Sequence, residues 1–286
     1  MSEFSRTDRF LGMNAPLQEA ELVYFGIPMD FTVSFQPGSR FGPARVREAS
    51  YAIETYSLAQ DRDLEETSVH DAGDLELPFG NVEQSLAHIY DAADSILSRG
   101  SRFFALGGEH LVSLPLVQAV VKRYPDLAVI HFDAHADLRE DYLGEKLSHA
   151  TVLRRITEHL KPKHLYQFGI RSATRDEVAF ARQHVHFHPH EVLRPLQERL
   201  GELKGRPVYV TIDIDVIDPA FMPGTGTPEP GGISSGEALE AIRLMRELDV
   251  VSMDLVEAMP AHDLSQRSAV LAAKMVREGL LAITHG

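Results

Sequence analysis

Six short apolar runs recur along the chain, and several stop at Gly, Asp or His. They occupy residues 21–27 (ELVYFGI), 102–106 (RFFAL), 127–132 (LAVIHF), 164–169 (HLYQFG), 206–212 (RPVYVTI) and 249–255 (DVVSMDL). Each has strand length, and they carry little alternation of apolar with polar residues. A strand buried on one face alternates; a strand covered on both faces does not. Helical patterns lie between the runs. Pro43 opens one that extends to about Tyr56. Asn81 with Gln84 forms a start signal ahead of residues 86–97, and Ser234 with Glu237 one ahead of 238–248. Ser113 and Pro115 precede 116–123, and residues 148–160, 191–203 and 264–280 have helical spacing. Strand–helix alternation over the whole length predicts one α/β domain spanning 1–286, a mainly parallel sheet between helix layers. No linker, low-complexity stretch or fixed-period repeat offers a boundary for a second domain.

Charge and composition narrow the function. Asp and Glu number 42 against 28 Lys and Arg, a formal net charge of −14. Such a chain repels a phosphate backbone, which argues against a nucleic-acid partner, and attracts cations. Cysteine is absent, which excludes disulfides, thiolate metal sites and a cysteine nucleophile. No apolar run reaches the roughly 18–20 residues that span a bilayer, and no secretory signal opens the chain. The expectation is a cytoplasmic protein with no membrane partner.

Polar residues gather where the strands end. In open α/β sheets ligands bind beyond the carboxyl ends of the strands. Asp133, His135 and Asp137 follow one run, Asp213 and Asp215 a second, and His110 a third after two glycines. Alternate residues of an extended segment share a face, so each motif can aim its side chains at one point. Four carboxylates and two imidazoles suit two divalent cations bridged by shared carboxylates. An oxygen-rich set favours Mn²⁺ or Mg²⁺. The four carboxylate charges balance two divalent ions.

These residues carry a resemblance. Gly107-Gly108-Glu109-His110, Asp133-Ala134-His135-Ala136-Asp137 and Asp213-Ile214-Asp215-Val216-Ile217-Asp218-Pro219 resemble the three signatures of the ureohydrolase (arginase/agmatinase) family, nearest to its bacterial agmatinases. Further likeness lies at 26–30 (GIPMD), 37–43 (PGSRFGP), 169–172 (GIRS), 223–227 (PGTGT) and 254–257 (DLVE). The resemblance implies an arginase-like three-layer α/β/α sandwich with a mainly parallel eight-stranded sheet. It implies two Mn²⁺ per chain and hydrolysis of a guanidinium group to urea and an amine. Carried over motif by motif, His110 and Asp137 hold one ion, His135 and Asp215 the other, and Asp133 and Asp213 bridge both. Glu257 pairs with the guanidinium, and His149 shuttles the proton. Trimers or hexamers are implied too.

The chemistry fits those roles. A guanidinium carbon is a poor electrophile, and water is a weak nucleophile at neutral pH. Metal coordination lowers the pKa of water toward about 7. The amine leaves protonated, which an imidazole with an ordinary pKa near ~6.5 can arrange. Asp30, with Phe31 and Phe35, is a candidate for the pocket mouth; an ordinary β–α loop is the other reading. The alternating His184, His186, His188 and His190 read as an edge strand, not a second metal site, because no carboxylate stands at matching spacing. Gly224-Thr225-Gly226 opens no helix, so it reads as a rigid turn and not a phosphate loop.

Residues 138–147 contain no Asn or Ser. Arginases use such residues just after this motif to hold the α-amino and α-carboxylate groups of arginine. The expected substrate is therefore agmatine, a small cationic guanidine, giving putrescine and urea, a step toward polyamines such as spermidine. Guanidinobutyrase, arginase and other ureohydrolase activities remain open at this point. So do a non-catalytic metal-binding homologue and a one-zinc amidohydrolase.

Overall fold

The computed structural model describes residues 4–5 and 9–284. Its main sheet contains β1 (Phe4–Ser5), β2 (Leu22–Ile27), β5 (Val69–Leu75), β6 (Arg102–Gly107), β7 (Ala128–Phe132), β8 (Leu165–Ile170), β9 (His186–Pro189), β10 (Pro207–Asp213) and β11 (Asp249–Val256). β3 (Tyr56–Ser57) and β4 (Arg62–Asp63) form a small separate ribbon. The strand order is β1-β5-β2-β6-β11-β10-β7-β8-β9. Eight of these strands run parallel; β1, two residues long, pairs antiparallel with the outer edge of β5. The expected eight-stranded parallel sheet is thus present, with one short strand added.

Helices cover both faces. α1 (Gly42–Ser50), α6 (Leu193–Leu203), α7 (Ser235–Leu244) and α8 (Arg267–Ile283) pack on one side. α2 (Val82–Ser98), α3 (Ser113–Val121), α4 (Val152–Ile156) and α5 (Arg175–His184) lie on the other. Alternate strand residues feed opposite cores: Leu22 and Tyr24 face the α8 side, Val23 and Phe25 the α2 side. That is why the strands lack alternation: both faces are dry, and burying each such side chain contributes roughly 1.5–3 kcal/mol.

Several boundaries differ from the reading of the sequence. α1 ends at Ser50, short of Tyr56. The helix expected over 148–160 shrinks to a 3₁₀ turn at His149–Thr151 followed by α4. β5 and α5 were not anticipated. β5 carries Asp71, Gly73 and Asp74, unusual strand residues. Their reason is Arg47 of α1, which is buried and donates from Nε to Asp71 Oδ2 (2.9 Å), from Nη2 to Asp71 Oδ1 (3.0 Å) and from Nη1 to Asp74. The edge strand β9 forms as expected, but its histidines do more than meet solvent. His186 stacks on Tyr166 at 4.2 Å and His188 on Phe168 at 5.0 Å.

Topology sets the site. The chain leaves β6 and starts β7 three positions away; β10 and β11 later fill the gap. The carboxyl ends of β6, β11, β10 and β7 therefore stand side by side around one crevice.

Candidate active site

Each of those four strands delivers functional side chains. β6 runs into Gly107-Gly108, and His110 begins the 3₁₀ turn beyond. A Cβ on Gly108 would collide with the Met29 backbone, so glycine lets the two segments touch. β7 ends before Asp133, with His135 and Asp137 in the loop that follows. β10 ends in Asp213, whose carboxylate accepts the Asp215 N–H at 2.9 Å and so caps the turn carrying Asp215. β11 ends just before Glu257.

The six expected ligands meet in two groups. His110 Nδ1 lies 3.1 Å from Asp133 Oδ2, 3.2 Å from Asp137 Oδ2 and 3.3 Å from Asp213 Oδ2. That nitrogen is fully buried and has no well-formed hydrogen bond. His135 Nδ1 lies 2.9 Å from Asp215 Oδ2 and 3.6 Å from Asp133 Oδ1. Asp133 thus gives one oxygen to each group. Asp213 places Oδ2 in the first group while Oδ1 is taken by the Asp215 N–H.

Electrostatics points to cations here. Burial, and then the Asp133 charge, push the Asp137 carboxyl up to about 7. Burial, Asp215 and Asp133 push Asp213 well above its ordinary value. Burial opposes a charge on His135, but Asp215 and Asp133 outweigh it and push the imidazole up to about 12. Carboxylates this crowded ionise together only with positive charge among them. The donor set, oxygen-rich with one imidazole per group, fits a pair of hard divalent ions. Asp137 and Glu257 also hold left-handed backbone, at φ 54° and 61°. Such strain costs on the order of 1–3 kcal/mol and persists only where surroundings enforce it. The N–H groups of Leu153 and Arg154 hold the Asp137 carbonyl, and the Glu257 N–H donates to Gly108 O.

The cluster forms the floor of a cavity of about 310 Å³. His149, Glu257, Tyr142, Arg139 and Thr227 help line it. Glu257 Oε1 accepts the His110 N–H at 2.8 Å, which ties the carboxylate to the metal-side turn. Burial and the neighbouring Glu109 raise its pKa well above the ordinary value. His149 Nε2 sits 3.1 Å from Ser34 Oγ, and burial lowers its pKa. The turn at 223–227 supplies part of the wall: Thr227 lines the cavity, and its Oγ1 donates to Asp215 Oδ2 at 3.2 Å.

Asp30 is placed elsewhere. It is buried beneath its loop, accepts the Gly38 N–H at 2.9 Å and pairs with Arg40. Its carboxylate shapes the 30–40 loop and does not line the cavity, which corrects the pocket-mouth reading. Phe31 lines a neighbouring cavity, and Phe35 a small recess beside His149.

Other residues escaped the sequence reading. Glu109 accepts the N–H groups of Phe31 (2.7 Å) and Thr32 (3.1 Å), and the Thr32 hydroxyl. Thr32 Oγ1 in turn accepts the His149 N–H at 3.0 Å. Arg171 donates to the carbonyls of Asp215 (2.6 Å), Val216 (3.1 Å) and Glu229 (2.6 Å), clamping the ligand turn to the wall. His131 and Gln167 sit fully buried behind Asp133. A histidine inside the apolar run 127–132 was the available signal, since a buried polar group needs a partner.

Comparison with known proteins agrees with this geometry. The model of the Arginase family matches residues 20–282. The chain belongs to the arginase family. It is similar to an agmatinase of Bacillus subtilis (strain 168), 50% identical over 275 residues, covering 95% of each chain. A putative agmatinase from Clostridium difficile superposes with a TM-score of 0.92 at 41% identity, covering 94% of this chain and 99% of that one. The agmatine ureohydrolase of Thermoplasma volcanium follows at 0.88 and 31% identity, covering 98% and 95%. Family membership accounts for the hydrolase signatures and the sheet order together.

Proposed function

We propose that this arginase-family hydrolase cleaves agmatine to putrescine and urea, using two Mn²⁺ per chain. One observation carries the reading: two ligand groups share Asp133 at the floor of a cavity that Glu257 and His149 also line. A shared carboxylate supports a metal pair over the single ion of a zinc amidohydrolase. His110, Asp133, Asp137 and Asp213 would hold one ion; His135, Asp215 and Asp133 the other. When bound, the pair activates water for attack on the guanidinium carbon.

The chain's own groups do the rest. Glu257 offers a carboxylate to the guanidinium, anchored through Oε1 so that the carbon faces the metal floor. His149, neutral at neutral pH because burial lowers its pKa, takes up a proton and delivers it to the departing amine. Ser34 and Thr32 hold it at that position. The excess of acidic residues favours a dication. Putrescine formation would place the enzyme in polyamine and spermidine synthesis. Assembly into trimers or hexamers is part of the proposal; Phe79, Leu143 and Leu264 are exposed apolar side chains that subunit contacts would cover.

A second reading has one observation behind it. Arg139 lines the cavity, stacked 5.0 Å over Tyr142. Its guanidinium suits a guanidino acid with a carboxylate tail, although Glu177 at 3.8 Å offsets its charge. Comparing kcat/KM for agmatine, arginine and 4-guanidinobutanoate with added Mn²⁺ separates the cases. Agmatine is expected to lead by tenfold or more; a lead for arginine or 4-guanidinobutanoate overturns the assignment.

A further inference from the structure

Asp133 is the one carboxylate whose two oxygens face different ligand groups, so its rotation about χ2 decides whether both groups exist at once. Each oxygen has an N–H donor. His135 N–H donates to Oδ1 at 2.5 Å, and His131 Nε2 lies 2.8 Å from Oδ2. The first donor is backbone of the same loop. The second is a side chain inside β7, fully buried, whose role depends on which ring nitrogen carries hydrogen.

The surroundings determine that tautomer. Gln167 of β8 is also fully buried. Its Nε2 donates to the Ala136 carbonyl at 2.8 Å and lies 3.0 Å from His131 Nδ1. A carbonyl only accepts, so the amide cannot be turned the other way without setting two oxygens against each other. The second amide hydrogen then points at His131 Nδ1, which has to accept it. Hydrogen is left on Nε2, and Nε2 donates to Asp133 Oδ2. The relay closes on itself: Ala136 belongs to the loop that Asp133 begins.

We infer that His131, with its tautomer set by Gln167, is the positioning residue that holds Asp133 across both metal groups. This inference rests on the two-metal reading above. His131 touches neither substrate nor reacting atoms; it acts through Asp133. Groups that orient a metal ligand in this way typically change metal affinity by about 10–100-fold when removed.

The test titrates metal-free protein with Mn²⁺, following ions bound per chain by equilibrium dialysis and the coupled-pair signal by electron paramagnetic resonance. His131→Phe fills the ring volume without a donor. It is expected to raise the half-saturating Mn²⁺ concentration about 10–100-fold and to lose the coupled-pair signal. His131→Gln, whose amide nitrogen reaches the position of Nε2, is expected to recover most of the affinity. Gln167→Met keeps size but frees the tautomer, and should fall between them; it also decides the matter should the phenylalanine variant not fold. Affinity within about twofold of wild type and an intact coupled signal, in either His131→Phe or Gln167→Met, overturns the inference. So does His131→Gln failing as badly as His131→Phe, since packing alone would then explain the loss. Wild-type protein that takes up fewer than two ions overturns the metal centre itself, and this inference with it.

Discussion

His149 and Asp133 stand at opposite ends of what the site has to do. Asp133 faces His110 through one oxygen and His135 through the other and accepts from two N–H donors, so Asp133→Ala should lose at least one ion and nearly all turnover. His149 holds no position in either ligand group. His149→Phe should retain two Mn²⁺ while kcat falls about 10²–10⁴-fold. Metal content and steady-state kinetics check both, and wild-type turnover in the second variant rules out a proton shuttle. The candidate ligands were legible from the sequence because their spacing after strand ends is itself the geometry. Asp30 was not, because whether a loop carboxylate faces a cavity or an arginine depends on how the loop closes. Here Arg40 and the Gly38 N–H claim it.

Elements show the same division. α1 is tied to β5 through Arg47, with both Asp71 oxygens, Asp74 and the Gly73 carbonyl as partners. Removing one partner from a buried ion cluster leaves charge uncompensated, at a cost of roughly 3–5 kcal/mol. Arg47→Met should lower the urea midpoint accordingly; a loss under about 1 kcal/mol would show that the cluster is dispensable. α8 begins under Asp263, which accepts the N–H and hydroxyl of both Ser265 and Ser268. Burial alone would raise this carboxyl, but those hydrogen bonds outweigh it and hold it at about 2. A depressed acid stabilises the fold above its ordinary value of 3.8 and loses that contribution as pH falls toward about 2. The stability gap between wild type and Asp263→Asn should be widest above pH ~4 and close toward pH ~2. A gap that stays constant across that range would contradict this account. β5 was hidden from sequence reading for the reason Arg47 supplies: its polar residues satisfy a partner far away in the chain, and local patterning carries no trace of that partner.

At the scale of the molecule, the sheet order brings four strand ends together and gathers the proposed metal ligands between them. Ions that bind only the folded chain stabilise it by about 2.7 kcal/mol at a concentration 100 times Kd. Chelation should therefore lower the melting temperature by several degrees and abolish activity, and Mn²⁺ should restore both. Full activity after exhaustive chelation would refute the metal centre. Among the described residues no helix is long and apolar enough to cross a membrane. Buried parallel strands, helix start signals at Asn81 and Ser234, and the three ligand motifs follow from local chemistry, since each depends on residues a few positions apart. The chain's order of amino acids therefore determined the class of fold and which residues gather as candidate ligands. Tertiary structure alone decided which oxygen of Asp133 meets which histidine, that His131 and Gln167 stand behind it, and that Asp30 turns away. His110, Gln167 and Asp215 reach their partners from other strand ends, and no window of sequence contains both sides of such a contact; Asp30 turns away because its own loop folds back onto it.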